Sequence, residues 1–358
     1  INLVRCNSEN DLDRLETLGM KGWMALSVQE GLTNNLMQRA SDHWNHPALA
    51  VWEGPDEIIW TFTAYSFLKE RAGFTREDWN NQKTIAVQYA ESVGPDLLAR
   101  MRESVNWLKR NDPHQRPFWI NEAADSDAFY ARGYVDSIDI VGCDYYAVRS
   151  TGTDLTSIGR LTQRWDAIGK GRPVWMVLQG FSWHALRDDR QRQYPSFSQS
   201  RFMAYDAIVH GAQGLLYWGT ETIDDPMFRQ SLYAITSELA AIEHYVKKTN
   251  LSPVPTRIIP DLFEPESIGV KAMLGIHETD SLLILVNKDP HRHLGVEIQG
   301  LEALNGQRLH LLYGQEMQIP DKGSFITRMQ ANGVKIFATD PSLAKGTREG
   351  RGFVDRKE

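Results

Sequence analysis

Carboxylate and amide side chains follow short apolar runs of the sequence, at the points where the runs end. Asp56 and Glu57 come after Ala48–Trp52, and Gln179 comes after Pro173–Leu178. Adjacent carboxylates raise each other's proton affinity, and a protonated carboxyl can act as a general acid. Cleavage of a glycosidic bond needs such an acid and a second group that faces the anomeric carbon. The pair therefore indicates acid–base chemistry on a sugar, with Glu57 as the proton donor and Asp56 beside it.

Further polar and aromatic residues follow the other apolar runs and are candidate substrate ligands. Aromatic faces stack on sugar rings, and a few convergent polar groups fix a ligand's orientation. Such a collection suits a neutral, hydroxyl-rich ligand, whereas a phosphate would need a Gly-rich loop and basic residues. The candidates are Trp52, Glu122, Asp144, Tyr145, Tyr146, Gln179, Trp183, His184 and Trp218, with Glu221 as a further catalytic carboxylate.

Structural roles compete with the functional ones for several of these residues. Asp56 can cap a helix that starts near Ile58, and Glu57 would then favour the helix dipole from the first turn. Each aromatic residue can belong to the core instead of a sugar platform. The interpretations do not exclude each other, since Asp56 can be structural while Glu57 is catalytic.

The apolar runs alternate with longer segments of helical period up to about Trp218, which is the pattern of βα units and a parallel sheet. In (β/α) barrels the active site lies at the carboxyl ends of the strands, where the candidates stand. The sequence therefore predicts an α/β fold, a (β/α)8 TIM-type barrel whose first βα unit is missing upstream. The seven runs are Ile1–Cys6, Gly22–Val28, Ala48–Trp52, Pro117–Ile120, Ile138–Cys143, Pro173–Leu178 and Gly214–Trp218.

A change of character at Asn250–Pro255 marks a second domain. Short alternating strands with turn residues between them follow, and they predict an all-β sandwich. We predict a barrel domain over residues 1–249, a sandwich over 250–345 and a flexible tail over 346–358, since the tail is charged and Gly-rich. The predicted helices are Asp11–Leu18, Asn34–Trp44, Trp60–Ala72, Lys83–Lys109, Ser157–Ile168, Phe202–His210 and Met227–Lys248.

Charge and composition argue against several classes of partner. The net charge is −7 without a basic cluster, which disfavours nucleic acid. No apolar run is long enough to span a membrane, and the two cysteines, Cys6 and Cys143, predict buried free thiols. No metal-binding motif occurs, so we assign no metal and no cofactor. We expect a carbohydrate substrate and an extracellular or periplasmic location with the leader outside the chain, and we leave the oligomeric state open.

Four segments in this order resemble the clan A superfamily of glycoside hydrolases: HPALAVWEGPDE, VGCDYY, RPVWMVLQGFSW and RFMAYDAIVHGAQGLLYWG. The resemblance covers roughly Ile1 to Trp218, and a C-terminal sandwich is a common companion there. It implies a barrel enzyme that hydrolyses glycosidic bonds of an oligo- or polysaccharide. In that superfamily an acid/base Glu, usually after Asn, ends strand four and a nucleophile Glu ends strand seven. Counting strands backward from Trp218, Glu57 matches the first position and Gln179 the second.

Gln179 departs from that pattern, because an amide cannot form the glycosyl-enzyme ester. Four explanations are open. The residue is an engineered change from Glu, or another residue supplies the second carboxylate, or the protein binds glycans without cleaving them. In the fourth, an N-acetyl group of the sugar attacks, as the resemblance of Asp56-Glu57 to the pair of substrate-assisted hexosaminidases suggests. We rank the second explanation first, and its candidates are Glu221, Glu122 and Asp144.

Two rival hypotheses remain open, one for the acid/base residue and one for the function. A different strand count would make Glu122 the acid/base, because Asn121-Glu122 also resembles the superfamily's Asn-Glu. The alternative function is a non-catalytic glycan-binding barrel in which Gln179 hydrogen-bonds the ligand.

Overall fold

The computed structural model describes residues 2–64, 73, 75, 77, 84–186, 191–247, 250–259 and 268–344. The chain divides into two compact units. The first comprises Ile1–Tyr145 and Gln163–Val177, and the second comprises Tyr146–Thr162 and Leu178–Glu358. The domain boundaries drawn from the sequence, at residues 249 and 345, stay predictions, and the tail 346–358 lies outside the described residues.

Strands and helices alternate in the first part of the chain, and strands prevail in the last part. The described helices are α1 (Glu9–Thr17), α2 (Asn34–His43), α3 (Trp60–Thr63), α4 (Thr84–Asn111), α5 (Ala128–Tyr134), α6 (Ser157–Gly169), α7 (Phe197–Val209), α8 (Pro226–Ala241) and α9 (Glu243–Val246). The described strands are β1 (Leu3–Cys6), β2 (Lys21–Ala25), β3 (Leu49–Glu53), β4 (Phe118–Ala123), β5 (Ile140–Asp144), β6 (Val148–Arg149), β7 (Gly152–Thr153), β8 (Val174–Gln179), β9 (Ala212–Trp218), β10 (Leu251–Val254), β11 (Thr256–Ile259), β12 (Val270–His277), β13 (Asp280–Asn287), β14 (Leu294–Ile298), β15 (Leu309–Leu311), β16 (Met317–Gln318), β17 (Phe325–Met329) and β18 (Val334–Ala338).

A parallel sheet forms the centre of the first unit. Its strands pair in the order β1-β2-β3-β4-β5-β8, and every pair is parallel. Strand β5 is buried along its whole length, as is typical of parallel strands covered on both faces. Because the strands are parallel, the residues that follow β3, β4 and β5 emerge at the same edge of the sheet. This edge carries the acidic candidates of the sequence analysis.

In the described part of the chain, the second unit contains the end of β8, its neighbour β9, the start of α6 and the helices α7, α8 and α9. Gly180 N, directly after β8, donates to Trp218 O at the end of β9, at 2.9 Å. Helix α7 starts with a capping box between Ser196 and Gln199, and it packs against β12, β13 and β18. It is buried on all sides over most of its length, and Arg201 and Asp206 are buried with the apolar residues, which explains why the sequence shows no separate polar face.

Besides the pair of β6 and β7, two larger antiparallel sheets fill the rest of the second unit. Their strand orders are β10-β12-β13-β18-β15-β16 and β11-β14-β17. Alternate residues of the strands share one core, for example Leu283 and Leu285 of β13 with Val296 and Ile298 of β14. The alternating apolar and polar residues that predicted these strands therefore correspond to side chains that point alternately into the core and away from it.

Strand β10 lies in the stretch that the sequence analysis treated as the boundary between domains. It contains Pro253 and, among the described strands, pairs with β12 alone, at the edge of its sheet. A proline at an edge removes no hydrogen bond from the ladder when its nitrogen faces outward. The Pro-rich composition therefore indicated a boundary between domains where the chain forms the edge strand β10.

The α/β class, the parallel sheet and the antiparallel region are confirmed, and the seven strands of the first sheet lie within a few residues of their predicted runs. In the part of the chain that the structure describes, β1 and β9 are the two ends of the strand order. Closure into an eight-stranded barrel and the loss of a first βα unit stay predictions. The predicted helix Trp60–Ala72 is described only over α3. No described helix has both the length and the apolar character that a membrane span requires.

Candidate active site

Asn121 links the carboxylates that follow two strands flanking its own. It lies in β4, Asp56 follows β3, and Asp144 ends β5. Its Nδ2 donates to Asp56 Oδ1 at 2.9 Å and to Asp144 Oδ2 at 3.0 Å. The amide orientation follows from this contact, because only a donor can face two carboxylates. Asp56 therefore contacts the neighbouring strand, and α3 begins at Trp60 without a side-chain cap.

Glu57 lies beside this group in a backbone conformation that favours glycine. Its φ is +47°, and its backbone N donates to Asn121 O at 2.9 Å. The half-buried carboxyl forms a hydrogen bond with Asp144. Burial and the negative charge of Asp56 raise the pKa of Glu57, whereas the hydrogen bond with Asp144 opposes the rise. Strained residues of this kind cost about 1 to 3 kcal/mol and concentrate at functional sites. We define Asp56, Glu57, Asn121 and Asp144 as the acidic cluster.

Glu122, the rival acid/base, is fully buried and fully engaged by protein donors. Its carboxylate oxygens accept hydrogen bonds from Ile59 N, from Ser126 Oγ at 3.0 Å and from Tyr134 Oη at 3.1 Å. Burial raises its pKa well above the usual range, although these hydrogen bonds oppose the rise. A carboxyl that joins three segments of chain without solvent contact is suited to holding the sheet edge together rather than to protonating a substrate.

Glu53 is a buried carboxylate at the end of β3 that the sequence analysis passed over. Its Oε2 lies 3.1 Å from Arg5 Nε. Burial raises the pKa of Glu53 to about 7, with Arg5 opposing the rise and the charge of Asp56 adding to it. The signal in the sequence was a glutamate closing an apolar run directly before Gly54.

The raised pKa of Glu53 predicts that stability depends on pH. The unfolded chain releases this proton near pH 4.3, so the folded protein holds it longer and the free energy of unfolding falls as pH rises from about 4.3 to about 7. Replacing Glu53 by Gln removes this titration. As the pH rises from 5 to 8, we expect the free energy of unfolding of the variant to increase by about 2 to 3 kcal/mol relative to that of the wild type. Urea unfolding of both proteins at the two pH values measures the difference, and parallel pH profiles would contradict it.

In the second unit, Gln179 ends β8 with its side chain buried and fully hydrogen-bonded. Its Oε1 accepts from Val148 N at 2.9 Å, and its Nε2 donates to Val148 O at 2.9 Å and to Phe181 O at 3.0 Å. The side chain therefore contacts protein backbone through both of its polar atoms.

Four aromatic rings of the second unit pack together near Gln179, and we call them the aromatic cluster. Tyr146, Trp183 and Trp218 all contact Phe181, with ring centroids 5.0 to 5.2 Å apart. Tyr146 and Trp218 are stacked at 5.7 Å and 27°. Trp218 remains 38% exposed, and the Arg149 guanidinium lies 3.3 Å from the centroid of the Trp183 ring. Trp218 is thus a partly exposed ring of the cluster, and an exposed aromatic face can stack on a sugar ring.

The remaining candidates take varied positions. Trp52 lies in the core and donates from Nε1 to Asp112 Oδ2 at 2.8 Å, a position typical of a packing residue. Tyr145 is half-buried, and His184 and Glu221 are exposed in short 3₁₀ helices of the second unit. The match of Glu57 and Gln179 to the superfamily's two catalytic positions stays a prediction, as does the catalytic role of Glu221.

Most residues of the two clusters are candidates predicted from the sequence, whereas Asn121, Phe181 and Arg149 had no predicted role. In the sequence, Asn121 drew attention only as the residue before Glu122 in an Asn-Glu motif. Phe181 is fully buried, and a buried ring that supports other rings has no signal of its own in a sequence.

No protein-family model matches the sequence. No curated protein matches it either. Similar solved structures include a β-galactosidase from the psychrophilic Marinomonas ef1, which is 13% identical with a TM-score of 0.45 and covers 68% of this chain, while the chain spans 56% of that enzyme's length. They also include a β-galactosidase from Bacillus circulans sp. alkalophilus, 10% identical over 94% of each chain with a TM-score of 0.51.

An α-L-arabinofuranosidase from Thermotoga maritima is similar as well, at 12% identity and a TM-score of 0.52, over 92% of this chain and 78% of that one. At these identities the similarity is one of fold. The chain has a fold similar to that of glycoside hydrolases, as the four sequence segments implied.

Proposed function

We propose that this protein hydrolyses glycosidic bonds of an oligo- or polysaccharide and that Glu57 is the proton donor. The observation that carries the proposal is the position of the Glu57 carboxyl, which is half-buried at the carboxyl ends of parallel strands and hydrogen-bonded to Asp144, where burial and the charge of Asp56 raise its pKa. A general acid must be protonated near the working pH, and burial with a like charge nearby achieves this. The similarity in fold to the Bacillus circulans β-galactosidase and to the α-L-arabinofuranosidase supports the class of reaction.

The neighbours of Glu57 have supporting roles in this proposal. Asp144 contacts Glu57 through a hydrogen bond, whereas the two catalytic carboxyls of glycosidases stand about 5 to 5.5 Å apart in retaining enzymes and about 6.5 to 9.5 Å apart in inverting ones. Asp144 is therefore too close to be the second catalytic carboxyl. It fixes the Glu57 carboxyl, and Asn121 holds Asp56 and Asp144 in place.

In the proposed reaction Glu57 gives its proton to the leaving glycosidic oxygen as the bond to the anomeric carbon breaks. Water supplies the hydroxyl group of the new reducing end, and its remaining proton returns to a carboxylate. Glu221 stays the proposed second carboxylate, because it follows β9 and is exposed to solvent. Its part is to activate the water or to attack the sugar.

The charge of Asp56 predicts a shift in the pH profile. Because that charge raises the pKa of Glu57, its removal in Asp56→Asn lowers the pKa of the proton donor. Activity depends on protonated Glu57, so the alkaline limb of the kcat profile should move to lower pH. Initial rates across a pH series measure the limb. A limb that stays in place or moves to higher pH would contradict the assignment of Glu57.

A second candidate function rests on Gln179. No carboxylate occupies the end of β8, and the amide there is bonded to backbone. This favours a barrel that binds glycans on the aromatic cluster without cleaving them. Reducing-end release from oligosaccharides of xylan, arabinan, galactan, cellulose and chitin separates the two functions, because only an enzyme produces new reducing ends.

A further inference from the structure

We propose that Gln179 is a positioning residue whose side-chain amide builds the aromatic cluster, rather than a nucleophile that has been lost. This inference rests on the proposed function in one respect, namely that the ligand of the aromatic cluster is a sugar. The positioning itself concerns only contacts within the second unit.

The hydrogen bonds of Gln179 require an amide at this position. Nε2 faces two carbonyl oxygens, Val148 O and Phe181 O, and Oε1 faces the Val148 N–H. A carboxylate has no hydrogen to donate, so it would meet both carbonyls with negative charge in a buried site. A protonated carboxyl could serve one of the two carbonyls only. The residue type therefore matches its surroundings without reference to a nucleophile.

The two backbone segments that Gln179 binds are the segments that carry the aromatic cluster. Val148 begins the small hairpin of β6 and β7, with Tyr146 two residues before it and Arg149 directly after it. Phe181 is the ring that Tyr146, Trp183 and Trp218 all contact. The Gln179 side chain thus binds both the residue with the central ring, Phe181, and the start of the hairpin. Tyr146, just before the hairpin, stacks on Trp218.

The close approach of the rings leaves little room for an alternative arrangement. Gly219, directly after Trp218, has φ +79°, and a Cβ there would lie 2.8 Å from Phe181 Cβ. The chain on the Trp218 side is therefore packed directly against the central ring. Because the Trp218 side is constrained in this way, the hairpin with Tyr146 is the part that Gln179 must hold.

The test compares Gln179→Glu and Gln179→Met with the wild-type protein, with Gln213→Glu as a matched control. Gln213 is an exposed residue of the neighbouring β9, so its replacement changes charge without touching the cluster. The first readout is near-UV circular dichroism, which reports the fixed packing of aromatic rings. We expect the near-UV aromatic signal of both Gln179 variants to fall while the far-UV signal is retained, and the control to match the wild type.

The second readout is kinetic, on the oligosaccharide of the five-polymer panel that the wild type cleaves. We expect KM to rise about tenfold or more in both Gln179 variants, with kcat changed less than about threefold. A gain of cleavage in Gln179→Glu would overturn the inference, because it would mean that a carboxylate restores a lost nucleophile. Unchanged aromatic signal in both variants would overturn it as well. If the wild type cleaves none of the panel, the proposed function fails, but the aromatic signal still decides whether Gln179 positions the rings.

Discussion

Replacing Glu57 by Gln is expected to lower kcat on an unactivated oligosaccharide by about 10²- to 10⁴-fold, the usual contribution of a general acid. Gln keeps the size of the side chain and the left-handed backbone of Glu57, so the fold and the strain of the site should remain. It lacks the acidic proton that the leaving oxygen needs. Substrate binding should persist, because the amide can still form hydrogen bonds. Initial rates and KM for the variant and the wild type measure the effect.

The chemical role of Glu57 can be separated from damage to the site by changing the leaving group. A substrate whose leaving group is a weakly basic phenol needs little protonation, so Glu57→Gln should retain much of the wild-type rate on a nitrophenyl glycoside. Glu103→Gln, an exposed change on α4, is the control for loss of a surface charge. Equal losses on both classes of substrate would contradict proton donation, and undiminished turnover would remove Glu57 from the mechanism.

Replacing Glu122 by Ala is expected to destabilise the protein by about 3 to 5 kcal/mol, because it opens a cavity and leaves buried donors without acceptors. Those donors are Ile59 N, Ser126 Oγ and Tyr134 Oη. The last two have hydroxyl groups that can rotate, so Glu122→Gln should cost less than about 1 kcal/mol. Urea unfolding monitored by far-UV circular dichroism gives both values.

The two glutamates should therefore behave in opposite ways. Glu57→Gln should lose activity and keep stability, whereas Glu122→Gln should keep kcat within about threefold of the wild type. A folded Glu122→Gln protein with a loss of activity of about 10²-fold or more would transfer the acid/base role to Glu122. A fully stable Glu122→Ala protein would refute its role in joining β4 to its neighbours.

The sequence predicted the strands well because each buried run leaves a continuous apolar pattern. The ends of the runs then indicated which polar residues share a sheet edge, and Asp56, Glu57 and Asp144 do lie together. Parallel topology makes this inference possible, since consecutive strands present the same end. The pattern failed at β10, where Pro253 is compatible with an edge strand, an environment that composition does not reveal.

Roles that depend on burial could not be predicted from the sequence. Glu122 and Glu57 are both glutamates after apolar runs, and only packing makes one a buried acceptor and the other a half-exposed acid. Gln179 stood out as a departure from a family pattern, but its three backbone partners come from residues 148 and 181, which local propensity does not connect to it. Asn121 likewise acquires its importance from two neighbouring strands.

The most direct test is reducing-end release from the panel of xylan, arabinan, galactan, cellulose and chitin oligosaccharides, with wild type and Glu57→Gln assayed side by side and glycan binding measured on the same samples. The account predicts that the wild type releases reducing ends from at least one member, and that Glu57→Gln binds that oligosaccharide with similar affinity but releases about 10²-fold less or lower still. Binding of a panel member without release by the wild type would contradict it and establish the non-catalytic alternative.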